Sequence, residues 1–515
     1  MTKITRKKAD VSSPAVKENK PFYTSASWTF PLLQEAMKHC EEIAVEELGL
    51  DCYPNQIEII TTEQMLDAYA SHGLPVMFKH WSFGKNFIQQ EQHYRKGKMG
   101  LAYEIVINSN PCISYLMEEN SMTMQTLVIA HAAFGHNHFF KNNNLFQEWT
   151  DADAILDYLV FAQNFIAKCE QRYGHDKVEK TLDACLALQH QSINKYKRPK
   201  KLSMVEEREK QKLREEELQH QVNDLWRTLP GIDEKKKDKS NDNFIYPKEE
   251  NLLYFIEKNS PTLEGWQREI CRIVRKMGQY FLPQILTKVM NEGFASFTHY
   301  YIMNRLWEKG LIDDGAMLEF LESHTGVLYW PLYSDHGFQA RFNPYSLGFD
   351  IFDDIKRIST QPTKEDEDWF PDLCNTDWKT NFLSSAANFR DESFILQFLS
   401  PRIMRKRKMF KIVADSDKDF YLIDKIHNNT GYKDIRRALS NQYSPSFLIP
   451  DFQVEKVNLR GDRTLHLTHF RYNGVGLDSQ TTKVLNLIKY LWGYKVSLQS
   501  MDPVNTSVCV SYSTD

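Results

Sequence analysis

Three histidines, His131, His136 and His138, fall inside an otherwise apolar run from Leu127 to Phe140. A buried neutral imidazole needs partners for both ring nitrogens, so each is a costly core residue. A single histidine of this kind is usually a hydrogen-bonded core residue; three within eight positions ask for more. His131 and His136 are five apart, a spacing that an unbroken α-helix places about 140° apart. Gly135 stands between them, where a kink or bulge would turn both rings toward one point.

A second candidate lies between Pro283, suited to a first helical position, and Gly310, suited to the place just past a helix end. Ile285, Val289, Glu292, Ser296, His299, Met303 and Leu306 alternate spacings of four and three, which makes them one helix face. The ends of that face are apolar and its middle holds a carboxylate, a hydroxyl and an imidazole. An unpaired buried carboxylate is very unfavourable, so Glu292 needs a metal, a protonated histidine, or an Arg or Lys beside it. The plain alternative is a Glu292–His299 hydrogen-bonded pair inside a helical core; the sharper one is a metal or catalytic site. His131 and His136 from one helix and Glu292 from the other, with His299 in reserve, make an imidazole–carboxylate set for a divalent metal. Zinc is the first candidate, and iron(II) or manganese is chemically reasonable.

The elements that must position these residues follow from periodicity. Helical spacing runs over 28–48, 123–140, 152–173 and 178–196, and again with breaks over 252–321. Residues 56–61 and 102–108 read as strands. Residues 203–221 are packed with Glu, Lys and Arg and read as a solvated helix; 231–243 is a charged linker. Beyond Pro401 strands and helices alternate: a hairpin over 410–413 and 421–426, a helix over 432–443, strands over 452–459 and 464–470, a helix over 481–492, and a strand over 495–499. The expected fold is mostly α (α+β). It comprises a disordered tail over 1–22, a large helical metallohydrolase-like region with a small sheet over 23–397, and a small α+β domain with an antiparallel sheet over 398–515.

The chain has 515 residues, 42% of them hydrophobic, and a formal net charge of −4. That length calls for more than one core. Near-neutral charge gives no reason to expect nucleic acid as the main partner, and the short basic run Arg405-Lys406-Arg407-Lys408 reads as a solvated edge or docking surface. No apolar stretch is long enough to span a membrane, and the polar, basic first twenty residues do not read as a secretory signal. Eight scattered cysteines, none in a C-x-x-C pair, suit reduced thiols in the cytoplasm. Phosphate-binding P-loop, nucleophile-elbow and dinucleotide motifs are absent from the sequence.

His131-x-x-x-Gly135-His136-Asn137, followed by Phe139-Phe140-Lys141-Asn142-Asn143, resembles the signature of the stage V sporulation protein R (SpoVR) family. So does Met290-Asn291-Glu292-Gly293-Phe294-Ala295-Ser296-Phe297-x-His299. Supporting stretches are 80–85, 103–108 and 343–349, and the resemblance runs from about Trp28 onward. It is nearest to the branch found in bacteria that do not sporulate. Phe134 stands where the pattern has an aromatic hydroxyl and Phe294 where it has Trp; His138 occupies a variable place and is not counted as a ligand. The resemblance implies a link to the spore cortex, a peptidoglycan layer, or to stationary-phase stress. It also implies partnership with a PrkA-like serine kinase and a von Willebrand A-type protein.

The helix pair also resembles the glutamate zincins, and Glu292-Gly293-Phe294-Ala295 their Glu-Gly-Trp-Ala segment. In those enzymes the residue after the first histidine is the Glu that activates water; here it is Ala132. A hydrolase would need another base: Glu292, His299, or Glu104 from the neighbouring strand. Tyr345 could donate to an oxyanion but reads first as packing. The expectation is a cytoplasmic metal-dependent hydrolase of amide or peptide bonds. Its metal is held by His131, His136 and Glu292, and His299 ligates or shuttles protons. The rival is a non-catalytic scaffold docked on the kinase, and Ala132 favours it.

Overall fold

The computed structural model describes residues 20–70, 78–82, 85, 87–89, 92, 104–192, 251–330, 342–413, 422–425, 427–458, 461–474, 476–504 and 507–514. The charged helix and linker expected over 203–243, Phe83 and Gly84, and most of the N-terminal tail lie outside them. The chain divides into two compact units, one made of Met1–Arg172 and Tyr280–Ser444, the other of Tyr173–Gln279 and Pro445–Asp515. These boundaries do not follow a cut at 398: the helix Pro401–Lys406, the hairpin β4 and β5, and the helix Asn429–Gln442 all fall in the first unit.

In the first unit a three-stranded sheet has the order β1 (Asn55–Ile60), β3 (Cys112–Met117), β2 (Glu104–Ile107), with β1 parallel and β2 antiparallel to β3. Burial alternates along β2, with Ile105 and Ile107 inward, so Glu104 leads the opposite face. Strand β3 was not foreseen. The helix Lys288–Glu308 is the hub of this unit: its buried residues run from Val289 through Phe294 and His299 to Leu306. It packs against the segment Ile129–His136 and the helix Pro344–Thr360.

Glycines set how closely these three pieces approach. A Cβ on Gly293 would stand 2.3 Å from Gly348 Cα, and one on Gly348 would stand 2.1 Å from the Val289 carbonyl oxygen, so the two helices cross backbone on backbone. Phe294 then stacks on Phe382 with ring centroids 4.5 Å apart. Pro283 does not open the Lys288–Glu308 helix; it lies inside the preceding helix Gly265–Leu286. The hub helix opens instead at Thr287, and Asp391 caps it from a distant helix by accepting the Val289 and Met290 N–H groups, each at 2.9 Å. Its other end is as expected. Gly310 has φ +68°, and its N–H bonds to Trp307 while Leu311 bonds back to Leu306, the paired bonds of a Schellman cap.

The hairpin β4 (Lys411–Val413) and β5 (Leu422–Lys425) is antiparallel. The basic run beside it is largely used up internally: Arg405 pairs with Glu365, and Lys406 and Arg407 both pair with the buried Asp350.

The second unit holds a four-stranded sheet in the order β6 (Asp451–Val457), β7 (Leu465–Phe470), β8 (Val496–Met501), β9 (Val508–Ser513). The expected antiparallel sheet is in fact mixed, because β7 and β8 are parallel. The helix Thr481–Trp492 connects them, and only a crossover of that length lets successive strands run the same way.

Candidate metal centre

The segment Ile129–His136 is wound as a π-helix between the α-helices Met122–Val128 and Asn137–Asn142. Closing each turn by an i→i+5 hydrogen bond sets residues five apart one above the other. His131 and His136 therefore share a face, with ring centroids 4.6 Å apart and planes at 87°. This winding does what the sequence required of a bulge near Gly135. Gly135 itself permits contact with the hub helix, since a Cβ there would lie 2.6 Å from Ala295 Cα.

Four side chains converge on the space between the π-helix, the hub helix and β2. Glu292 Oε2 is 3.6 Å from His136 Nε2 and 4.0 Å from His131 Nε2. Glu104 Oε1 is 3.6 Å from His131 Nε2. Glu104, His131 and His136 each offer a ligand atom within 4.8 Å of the others. Separations of 3.6 to 4.0 Å are too long for hydrogen bonds. They are close to what one ion demands, because two ligands at about 2.1 Å from a tetrahedral centre stand roughly 3.4 Å apart. His131 Nε2 and Glu292 Oε2 are both buried without a hydrogen-bond partner. Two orphaned atoms facing each other across a buried gap fit a cation, and a set of two imidazole nitrogens with carboxylate oxygen suits zinc, iron(II) or manganese.

The far side of each imidazole is held. His136 Nδ1 bonds to Asn291 Oδ1 at 2.9 Å, so it carries the proton and leaves Nε2 as a lone pair. His131 Nδ1 meets His299 Nδ1 at 2.9 Å, and His299 Nε2 meets His324 Nδ1 at 2.8 Å. Both nitrogens of His299 are thus engaged by imidazoles, and its ring stands behind His131. Tyr345 lies nearly parallel to His131, with ring centroids 6.5 Å apart.

Burial and the neighbouring His136 and His299 rings hold His131 well below the usual imidazole range, with a hydrogen bond to the Ala295 backbone working the other way. Burial, with His324 and His136 nearby, does the same to His299. Burial lowers His324 to about 4. The row is therefore neutral at pH 7. Burial, with the Glu292 charge beside it, pushes the Glu104 carboxyl up to about 8; a cation placed between these groups would draw it down again. Burial raises Asp391 to about 7, against the pull of its two backbone N–H partners.

The rest of the histidine-rich run is structural. His138 Nδ1 accepts the Asp51 N–H at 2.9 Å and its ring stacks on Phe294. Asn137 pairs with both the N–H and the carbonyl of Tyr53, and Lys141 bonds Asp51 and the Cys52 carbonyl. Together they pin the chain that leads into β1.

The chain matches the family described as SpoVR like protein over residues 27–447 and the SpoVR-like C-terminal domain over 450–503. It is a member of the SpoVR family. A relative, the uncharacterized protein YcgB of Escherichia coli (strain K12), is 52% identical over 475 residues, covering 92% of this chain and 93% of that one. No solved structure matches the chain, so the expected likeness to a metallohydrolase fold finds no support.

In this SpoVR chain the sequence reading named Glu104 only as a possible base, and it missed Asn291 and His324. A signal for His324 was present: it follows Ala316, Met317 and Phe320 on the buried stripe of the helix Asp314–Val327. Among the described residues no helix is long and apolar enough to cross a membrane.

Proposed function

We propose that His131, His136 and Glu292 hold one divalent cation and that the chain uses it to hydrolyse an amide or peptide bond. The observation that carries this reading is the pair of buried, partnerless atoms, His131 Nε2 and Glu292 Oε2, 4.0 Å apart. Glu292 Oε2 reaches both imidazoles, which favours it as the ligand carboxylate. Glu104 comes from β2 instead of the helices and lies beside His131, a place suited to the base that position 132 lacks. Glu104 and Glu292 each keep 17% of their side-chain surface exposed, against 5% for His131.

A cation held there would supply Lewis-acid polarisation of the substrate carbonyl. Glu104 would accept a proton from the attacking water as its oxygen bonds to the carbonyl carbon. The same carboxyl would return that proton to the nitrogen as the C–N bond breaks. His299 stands behind His131 and orients it. The resemblance implies a link to the spore cortex, so peptide amides of peptidoglycan type are the first substrates to screen. The scattered spacing of the eight cysteines, with no C-x-x-C pair, favours a reduced, cytoplasmic setting.

The test separates the two carboxylates. Glu292→Gln should lose the cation. Glu104→Gln should keep it and lose amide hydrolysis. Cation loss in neither variant would overturn the ligand assignment. A Glu104→Gln protein that still hydrolyses would overturn the base.

One observation favours a second reading, a metal-holding scaffold for the PrkA-like kinase and the von Willebrand A-type protein. Ala132 is wholly buried at the place where a zincin carries its base. Retained kinase binding with no hydrolysis of any amide would select it.

A further inference from the structure

His131, His299 and His324 form a buried row of three imidazoles, joined Nδ1 to Nδ1 at 2.9 Å and Nε2 to Nδ1 at 2.8 Å. Their residues are 4%, 3% and 4% exposed. A neutral imidazole carries one N–H, so the proton position on one ring fixes it on the others. Two polarities exist. In one, His131 Nδ1–H donates to His299 and His299 Nε2–H donates to His324, which leaves His131 Nε2 as a lone pair facing Glu292. In the other, every bond reverses and His131 Nε2–H points at Glu104 and Glu292.

The distances choose between them. In the reversed row, His131 Nε2–H would find its nearest carboxylate at 3.6 Å, beyond hydrogen-bond length. In the first, no N–H is stranded there, and the partnerless His131 Nε2 presents only a lone pair. What keeps His299 Nδ1 free to accept is the acceptor that His324 offers to Nε2. Around His324 stand Tyr300, Phe320 and Phe349, which fix the ring by packing. Among the ring contacts of the described residues, those packed on His324 besides His299 are these aromatics.

We propose that His324 is a positioning residue of the cation centre, acting through His299 to hold His131 with its proton on Nδ1 and its Nε2 lone pair toward Glu292. This rests on the reading that the cluster binds a cation. Partners behind a ligand imidazole fix its tautomer and basicity, and their loss commonly weakens metal binding.

The experiment is zinc affinity, measured by chelator competition on the full chain, for wild type, His324→Leu and His324→Asn. The Asn oxygen stands about where the imidazole Nδ1 stands and can accept from His299; Leu cannot. Zinc should bind His324→Leu about tenfold more weakly than wild type, and His324→Asn within about threefold of it. Equal affinity in wild type and His324→Leu overturns the proposal and leaves the cation reading standing, as does an Asn variant as weak as Leu, which would mark a packing role. No zinc binding by wild type overturns both. Nitrogen-15 NMR of the zinc-loaded wild type gives an answer that does not depend on a variant folding: the proposal requires His299 as the Nε2–H tautomer, and a His299 Nδ1–H signal overturns it.

Discussion

Gly135 on the π-helix and Ala295 on the hub helix touch with no room for a side chain between them: a Cβ on Gly135 would be 2.6 Å from Ala295 Cα and 2.8 Å from its Cβ. The contact sets the separation between the element that carries His131 and His136, the proposed ligands, and the one that carries Glu292. Gly135→Ala should therefore destabilise the protein by about 1–3 kcal/mol through overpacking and weaken cation binding. Gly326→Ala is the control. Its Cβ would meet nothing within 4 Å, and it should stabilise the helix by about 0.5 kcal/mol. Thermal melts of both variants check this; equal shifts would contradict the close-approach argument.

The row of neutral imidazoles predicts an acid limb in stability. Burial lowers His324 to about 4 from 6.5, and burial likewise holds His131 and His299 well below the usual imidazole range. At these rings the unfolded chain takes up protons below about pH 6.5 that the folded chain takes up only at lower pH, near 4 for His324. Their contribution to stability is therefore full above about 6.5 and falls as pH drops through that window, while Glu104 and Asp391, raised to about 8 and about 7, act in the opposite sense. Urea unfolding of metal-free protein from pH 7 to pH 4 measures it. The slope should be shallower in His324→Asn; an unchanged slope would remove His324 from the titrating set.

Asp350 is the anchor of the basic run. Its side chain is 3% exposed and faces both Lys406 and Arg407. Asp350→Ala strands a mostly buried guanidinium and should cost about 3 kcal/mol or more. Denaturant midpoints would show it, and a neutral effect would mean that these cations are free for a partner after all.

Much of this was legible in the sequence because it depends on local pattern. The helix Thr481–Trp492 has the expected ends, and Val289, Ser296, His299, Met303 and Leu306 of the expected stripe are buried. Glu292, however, is only partly buried, Ile285 belongs to the preceding helix, and burial from Val289 to His299 extends round the hub helix. What was not legible depends on contacts between distant segments. The π-winding of Ile129–His136 is packed against Ala295, more than 150 positions away, and no local signal reports that. The start of the hub helix was misplaced at Pro283 because its cap, Asp391, comes from another helix. The parallel pairing of β7 with β8 is different: a strand, a helix and a strand in that order already implied it, and the pattern was read without its topological consequence.

A single cation held between His131, His136 and Glu292 underlies the proposed chemistry. Elemental mass spectrometry on untagged protein, beside a His131→Ala/His136→Ala double variant shown to be folded, tests it most directly. About one equivalent of zinc, iron or manganese is expected in the wild type, as purified or on reconstitution with those metals, and none in the variant. No metal in the wild type after reconstitution, or equal metal in both proteins, would contradict it.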